Sequence, residues 1–365
     1  MNTASYRADF TNTASYRAHL MNTASRYLLL ITPAANRVFA GQAAALTAAE
    51  LSACAHGLPI AEPTTVSVAG IDYIGFDLTS PVDPDELARL VGGLSSAYAL
   101  FETVDTGADQ DQQLLRPVPL IDTDRFGDDL VTIPKYQGKT NEQFTRLLVN
   151  VTAAAVDRPT DRPYSLLDPL CGRGTTLSVG LMLGYDVAGV EADQKAVEAY
   201  AAFLKTYLRR KRIKHKAELQ PVRREGRSLG KRLVADITPA DRGPEQHLTV
   251  FTGDTRQTAA LYGKRTFDLV VADAPYGVAH QSSGRGKSGS AAELLGEAVE
   301  VWAGRLRSGG ALGISWNTYR LAREELAEIM VAAGLDPLQG GVYERFAHRV
   351  DSSINRDIMI ARRVR

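Results

Sequence analysis

The chain has 365 residues, 44% of them apolar, with 42 basic side chains balanced by 42 acidic ones. That length admits two domains, and the neutral balance removes any global pull toward a polyanion, leaving only local charge to argue from. Two cysteines, Cys54 and Cys171, exclude a disulfide framework and a cysteine-rich zinc centre, and the six histidines show no metal-ligand spacing, so no metal is expected.

At the amino end, NTASYRADFT, NTASYRAHLM and NTASRYLLLI begin at Asn2, Asn12 and Asn22, a ten-residue period. Three copies this short cannot stack into a solenoid. Residues 1–25 therefore read as a disordered, repeat-containing leader, with Met21 as the natural start. RYLLLITPAANRVFA (26–40) is too short and too broken for a signal peptide and reads as a first strand. No run approaches the ~20 apolar residues of a membrane span, so no membrane partner is expected and a cytoplasmic setting fits.

Residues 26–130 are expected to form a small amino-terminal α/β domain without a chemical motif of its own, a candidate for RNA binding. RYLLLI reads as a strand, and ALTAAELSACAHG (45–57) as a helix stopped by Gly57. TTVSVAG and DYIGFDL alternate like paired strands, and DPDELARLVGGLSSAYALFETV as an Asp-capped helix followed by a strand.

From 131 to 365 strands and helices alternate, which predicts an α/β fold with a doubly wound, seven-stranded parallel sheet that ends antiparallel. The strand candidates are YSLLDPL, YDVAGVEA, LTVFTG, FDLVVADA, GGALGISW and two late strands near 342–350 and 357–363. Helices are expected over 140–156, 175–184, 194–212, 291–307 and 320–334. Between the second and third strands lies a basic insertion, 205–246. Its first part, 205–232, holds twelve Lys and Arg residues against Glu218 and Glu225. Such a run is a solvated face or a polyanion contact, and Arg209, Arg210, Lys211, Arg212 and Lys214 are its candidates for nucleic acid.

Open α/β sheets bind ligands beyond the carboxyl ends of their strands. After the first strand of this region come Asp168, Pro169, Leu170, Cys171, Gly172, Arg173, Gly174 and Thr175. The two glycines allow close backbone approach, and the helix beginning at Thr175 offers unpaired N–H groups. A third glycine is missing, because Leu177 stands in its place, and Asp168 would repel a pyrophosphate. A cationic, amino-acid-like ligand such as S-adenosylmethionine suits the carboxylate better. Glu191 and Asp193 follow the second strand, where an acid accepts from ribose hydroxyls; Asp193 equally suits a helix N-cap. Asp254 and Thr255 follow the third strand, where the acid is placed for an adenine amine or simply shapes a surface turn.

After the fourth strand stand Asp273, Ala274, Pro275 and Tyr276. This resembles the (Asp/Asn)-Pro-Pro-aromatic motif of methyltransferases that act on exocyclic amines of bases. A carboxylate and a main-chain carbonyl each accept one N–H of the amine and aim its lone pair, while the aromatic ring stacks on the base. Ala274 departs from the motif, but its carbonyl remains, and the following Pro275 keeps residue 274 extended. HQSSGRGKSGS (280–290) lacks the first glycine of a P-loop, having Gln281 there, and reads as a loop in which Arg285 and Lys287 are candidates for phosphate contact.

IPKYQGKTNEQFTRLLVN (133–150) and RVDSSINRDIMIARR (349–363) resemble the segments flanking the core of the THUMP-associated tRNA guanine-N2 methyltransferases, a class I S-adenosylmethionine-dependent family. The resemblance covers 131–365. It implies that Lys139, Thr140, Asn141 and Phe144 meet the methionine end of the cofactor, and that the substrate is RNA, with tRNA first. From its residues alone, the segment is also an ordinary helix start with Thr140 as N-cap and Gln143 at N3. A DNA adenine-N6 or cytosine-N4 amino-methyltransferase shares the order of motifs, and a NAD-dependent oxidoreductase is a more distant alternative. Oligomeric state is not legible in the sequence.

Overall fold

The computed structural model describes residues 26–34, 37–55, 57–104, 114–157, 162–224, 227–240, 243–275 and 291–364. The repeat-containing leader, Tyr276, and the 280–290 segment with Arg285 and Lys287 lie outside the described residues. The chain divides into two compact units.

The first unit comprises the described residues within Met1–Thr32, Ala55–Gly93 and Ala97–Asp122. Its strands are β1 (Arg26–Ile31), β2 (Thr64–Val68), β3 (Ile71–Asp77), β4 (Ala97–Val104) and β5 (Leu114–Val118). They form an antiparallel sheet in the order β2-β3-β1-β4-β5. The Pro84–Gly93 helix buries Leu87, Ala88 and Val91, an i, i+1, i+4 stripe. Asp83 starts it by accepting from Asp85 N at 2.9 Å.

The second unit comprises Pro33–Cys54, Leu94–Ser96 and Thr123–Arg365. The helix expected over 45–57 runs Ala43–Cys54 and belongs here, not with the strands around it in sequence. The reason is a buried polar staple. Glu50, 0% exposed, accepts from Ser95 N, Ser95 Oγ and Asn150 Nδ2 at 3.0, 2.5 and 2.7 Å. A buried carboxylate is tolerated only when satisfied in this way.

The strands of this unit are β6 (Ser165–Asp168), β7 (Asp186–Glu191), β8 (Lys214–Arg224), β9 (Arg227–Thr238), β10 (Gln246–Thr252), β11 (Phe267–Asp273), β12 (Leu306–Asn317), β13 (Leu335–Pro337), β14 (His348–Arg349) and β15 (Asn355–Arg363). They form one sheet in the order β13-β15-β12-β11-β6-β7-β10-β9-β8, with β14 on β15. Pairing is parallel among β12, β11, β6, β7 and β10, and antiparallel for β15 on β12 and β13 on β15. The doubly wound, seven-stranded core expected from the sequence is thus present. From β6 the chain runs outward to β7 and β10, then returns to β11 on the other side of β6, which makes the β6/β11 boundary the switch point. β6 and β11 are buried along almost their whole length, as strands covered on both faces are.

One element is new and one expectation is corrected. The basic insertion holds an antiparallel hairpin, β8–β9, that extends the sheet beyond β10. The late region expected as a strand over 342–350 is a 3-10 turn, Gly341–Glu344, followed by the two-residue β14, while β13 forms earlier.

The Gln194–Arg210 helix shows how sequence places charge. Asp193 caps it by accepting from Lys195 N at 2.9 Å. Ala196, Val197, Tyr200, Ala201, Leu204, Tyr207 and Leu208 are buried at helical spacing, and the basic residues fall on the other face. Arg212, at φ 57°, ends the run. Cutting fully buried Leu204 to Ala removes about 2–5 kcal/mol.

Candidate active site

The carboxyl ends of five neighbouring strands bring Asn317, Asp273, Asp168, Glu191 and Asp254 to one sheet edge, in the strand order β12-β11-β6-β7-β10. Adjacent strands lie ~4.8 Å apart, so the three central acids span only about two strand spacings. Asp273 pairs in register with Ser315 of β12, and Asp168 with Gly189 of β7.

The turn after β6 is built by its glycines. Gly172 is left-handed (φ 49°), and a side chain there would meet nothing within 4 Å, so the space above it is open. Gly174 is left-handed (φ 79°), and a Cβ would come within 2.5 Å of the Tyr200 ring. Gly174 N donates to Cys171 O at 2.7 Å, closing the turn, and the Thr175–Met182 helix starts directly after it. Gly172 N donates to Glu191 Oε2 at 2.8 Å, and Asp193 N donates to Glu191 Oε1 at 2.7 Å. Glu191 therefore stands beside the open turn, each oxygen still having a further lone pair.

Asp168 is 2% exposed and accepts from Leu170 N at 2.9 Å. Burial pushes its carboxyl up to about 7; Leu170 N and the Thr176 hydroxyl oppose the rise, and the carboxylates of Asp273 and Glu191 add to it. Asp273 is held from both sides. Ser315 Oγ donates to its Oδ1 at 2.9 Å, and Thr140 Oγ1 donates to its Oδ2. Ala274 N donates to Ser315 O at 2.8 Å, which fixes the backbone leaving β11. Ala274 is 1% exposed, and Pro275 follows it. Tyr276 is outside the described residues.

The other expected residues separate by what they already hold. Asn141, not Thr140, caps the Glu142–Ala154 helix, accepting from Phe144 N at 3.0 Å; that shift by one residue leaves the Thr140 hydroxyl for Asp273. Lys139 bonds Val131 O at 2.5 Å and pairs with Glu142 at 3.3 Å. Phe144 is a correction: it is 0% exposed, with the Arg356 guanidinium 4.4 Å over its ring and the His348 ring at 5.1 Å, so it belongs to the core. Thr255 is a second correction, since it is 6% exposed and accepts from Trp302 Nε1 at 3.0 Å. Cys171 and Pro169 are buried, and Cys171 packs where a Cβ on Gly189 would lie. Asp193 serves as a helix cap. Asp254 stands at the edge but accepts from Arg256 N and its guanidinium, which holds its carboxyl below the usual range.

The basic candidates take a different position. The Gln194–Arg210 helix leaves the acid-bearing edge and, at ~1.5 Å per residue, carries the chain ~25 Å to the opposite edge. Arg209, Arg210, Lys211 and Arg212 therefore lie away from Asp168 and Asp273, and Lys214 starts β8 there, opposite Thr238. Lys211 is also committed to Asp129 at 2.5 Å.

Sequence reasoning missed Tyr136, Arg173 and Ser315. Tyr136 OH lies 2.8 Å from Thr175 Oγ1, and the Arg173 guanidinium covers its ring at 5.0 Å. Burial raises the Tyr136 hydroxyl's pKa, and Asp168 and Asp273 push in the same direction. Ser315 carried a legible signal, a lone hydroxyl in a buried strand; Tyr136 carried none.

No family model matches the sequence, and no curated protein matches it. Among solved structures, the chain is similar to TehB from Haemophilus influenzae, at 16% identity and a TM-score of 0.32, over 56% of this chain and 58% of that one. It is also similar to a TehB-like SAM-dependent methyltransferase from Corynebacterium glutamicum, at 15% identity and a TM-score of 0.33, over 59% of this chain and 86% of that one. A third similar structure is the rRNA methyltransferase aviRa from Streptomyces viridochromogenes, at 16% identity and a TM-score of 0.39, over 67% of this chain and 94% of that one. No helix among the described residues is long and apolar enough to cross a membrane, and none of their side chains cluster as metal ligands.

Proposed function

We infer that this protein is an S-adenosylmethionine-dependent methyltransferase acting on an exocyclic amine of a nucleic-acid base, with guanine N2 in RNA, and tRNA first, as the preferred target. The observation that carries this reading is the Asp273 carboxylate, clamped by Thr140 and Ser315 on the sheet edge that also carries Asp168 and Glu191.

The donor set fits the cofactor. Asp168, Glu191 and Asp273 are acceptors around an open glycine turn, which suits an ammonium, a sulfonium and ribose hydroxyls. A pyrophosphate would meet the same carboxylates as like charges, which disfavours a dinucleotide and the oxidoreductase reading. Bound S-adenosylmethionine supplies an electrophilic methyl group. Asp168, Gly172, Gly174 and Glu191 hold the cofactor, with Asp254 at the adenine end.

Asp273 accepts one N–H of the target amine, and the Ala274 carbonyl accepts the other. The two acceptors turn the nitrogen's lone pair out of conjugation, and Asp273 is placed to take the proton that the nitrogen loses. Thr140 and Ser315 keep the carboxylate from rotating, so orientation is set before the substrate arrives. Tyr276 is assigned to stacking on the base.

Comparing modified nucleosides in total RNA and DNA from cells with and without the gene, by mass spectrometry, tests this reading. Loss of an N2-methylated guanosine from RNA is expected. Loss of N6-methyladenine or N4-methylcytosine from DNA would instead select the DNA alternative, and no change in either polymer would overturn the nucleic-acid reading.

A further inference from the structure

Beyond Asp273, the same sheet edge continues into a rigid loop with an outward aromatic ring. β12 ends at Asn317, two residues after the serine that clamps Asp273, and Thr318, Tyr319 and Arg320 follow. Tyr319 is 62% exposed. It is the only exposed aromatic residue among the described residues of the larger unit.

The loop beneath the ring is pinned on every side. Asn317, 3% exposed, donates to Ser353 O at 2.9 Å and accepts from Tyr319 N and Asn355 N at 3.2 and 3.1 Å. Thr318 N donates to Asn355 O at 2.8 Å, and Asn355 Nδ2 donates to Thr318 Oγ1 at 2.8 Å. The Trp316 indole closes the far side on Leu321 O at 2.9 Å. A ring exposed on a loop this fixed costs little entropy to engage.

Two exposed guanidinium groups stand near the ring, among an equal number of acids and bases in the surrounding segments. Arg320 is its exposed neighbour, and exposed Arg349, whose Nε donates to Asp351 O at 3.0 Å, pairs in register with Asn355, the residue bonded to Thr318. Acids share this surface, Asp357 ion-paired and Asp351 and Glu325 held by neutral donors. Asp351 accepts from Ser353 N and Oγ at 2.7 and 2.8 Å, Asp357 from Arg323 at 2.6 Å, and Glu325 from Ala322 N at 3.1 Å. An aromatic face beside guanidinium groups is the composition that holds single-stranded nucleic acid, the ring stacking on a base and the arginines meeting phosphates.

We propose that Tyr319, flanked by Arg320 and Arg349, is the platform on which a base of single-stranded RNA stacks, next to the nucleotide presented to Asp273. The inference rests on the nucleic-acid reading above and deepens it: the substrate approaches over β12 and the 349–355 turn, on the acid-bearing edge, whereas the basic run at 209–214 lies on the other edge.

The test is binding of the full chain to a fluorescein-labelled oligoadenylate of about twelve nucleotides, with S-adenosylhomocysteine affinity measured on every variant. Tyr319→Ala is expected to weaken oligonucleotide binding about tenfold, and Tyr319→Phe to stay within about twofold of the parent. Arg320→Ala combined with Arg349→Ala lowers the slope of log affinity against log salt by about 1.4, an independent readout of the same platform. S-adenosylhomocysteine binding stays unchanged in all of them. Unaltered oligonucleotide binding by Tyr319→Ala and by the double arginine variant overturns the platform and leaves the nucleic-acid reading standing. A parent protein that binds S-adenosylhomocysteine but no oligonucleotide overturns both.

Discussion

The hydroxyl of Thr140 donates a hydrogen bond to Oδ2 of Asp273, a side chain 133 residues further along the chain. The contact exists because Asn141 caps the following helix and leaves Thr140 just outside it, facing the end of β11. A carboxylate gripped by Thr140 on one oxygen and Ser315 on the other has a single orientation.

Removing one grip should therefore cost rate more than binding. Thr140→Val loses a hydrogen bond to a charged group, worth about 1.5–3 kcal/mol. Turnover is expected to fall about tenfold or more, while S-adenosylhomocysteine affinity by calorimetry stays within about twofold. Thr140→Ser restores most of the rate. A valine variant with parental turnover contradicts the clamp.

Gly174→Ala should close the cofactor site. The position is left-handed at φ 79°, and the added Cβ would come within 2.5 Å of the fully packed Tyr200 ring. Either the ring or the turn must move. The variant is expected to melt several degrees lower and to lose S-adenosylhomocysteine binding, whereas Gly172→Ala, with open space ahead of its Cβ, bears only the backbone strain of its φ of 49°.

Asp168 predicts a pH dependence. Burial holds its folded pKa near about 7, aided by Asp273 and Glu191. In the unfolded chain an aspartate titrates near ~3.9. Between those values the folded protein binds more protons than the unfolded one, so this group's contribution is full below about pH 4 and is lost as pH rises through about 7. The ligand-free Asp168→Asn protein should melt above the parent at pH 8, with the gap shrinking toward pH 4. S-adenosylhomocysteine, which brings an ammonium, should bind the parent more tightly as pH rises through 7, and the variant should lose that dependence. A flat affinity profile in the parent removes Asp168 from the cofactor site.

Asp268 predicts the opposite slope. Burial alone would raise its carboxyl, but Arg162, Arg307 and the backbone N–H and hydroxyl of Ser165 outweigh it and leave about 2. The guanidinium contacts are 2.8 Å from Arg162 and 2.6 Å from Arg307. A depressed folded pKa gives stability that is present above ~3.9 and is lost as pH falls through about 2. Asp268→Asn should cost about 2–3 kcal/mol in urea unfolding at pH 7, with most of the difference lost by pH 2. Equal stability at pH 7 would show that the hub contributes nothing.

Most of the sheet was legible because its strands are short apolar runs ending in turn residues, with helices of clear period between them. FDLVVAD and SLLD are both buried on two faces and read as such. The β8–β9 hairpin was not legible. Lys214, Lys216, Arg223 and Arg224 hide the alternation that buries Leu233, Ala235 and Ile237 on the partner strand. The acids at the strand ends could be named from sequence because topology alone delivers them to one edge. Phe144 and Thr255 could not be separated from ligand contacts, since a motif gives a residue's place along the chain but not the face it turns to. The direction of the Gln194–Arg210 helix, not its charge, places Arg209 and Arg210 on the edge away from Asp168 and Asp273.

The most direct measurement is methyl transfer from labelled S-adenosylmethionine to cellular RNA by Asp273→Ala, run beside S-adenosylhomocysteine calorimetry on the same preparation. A carboxylate that orients the amine but does not anchor the cofactor predicts a loss of transfer of about a thousandfold or more with cofactor affinity retained. Transfer at the parental rate in that variant contradicts the account.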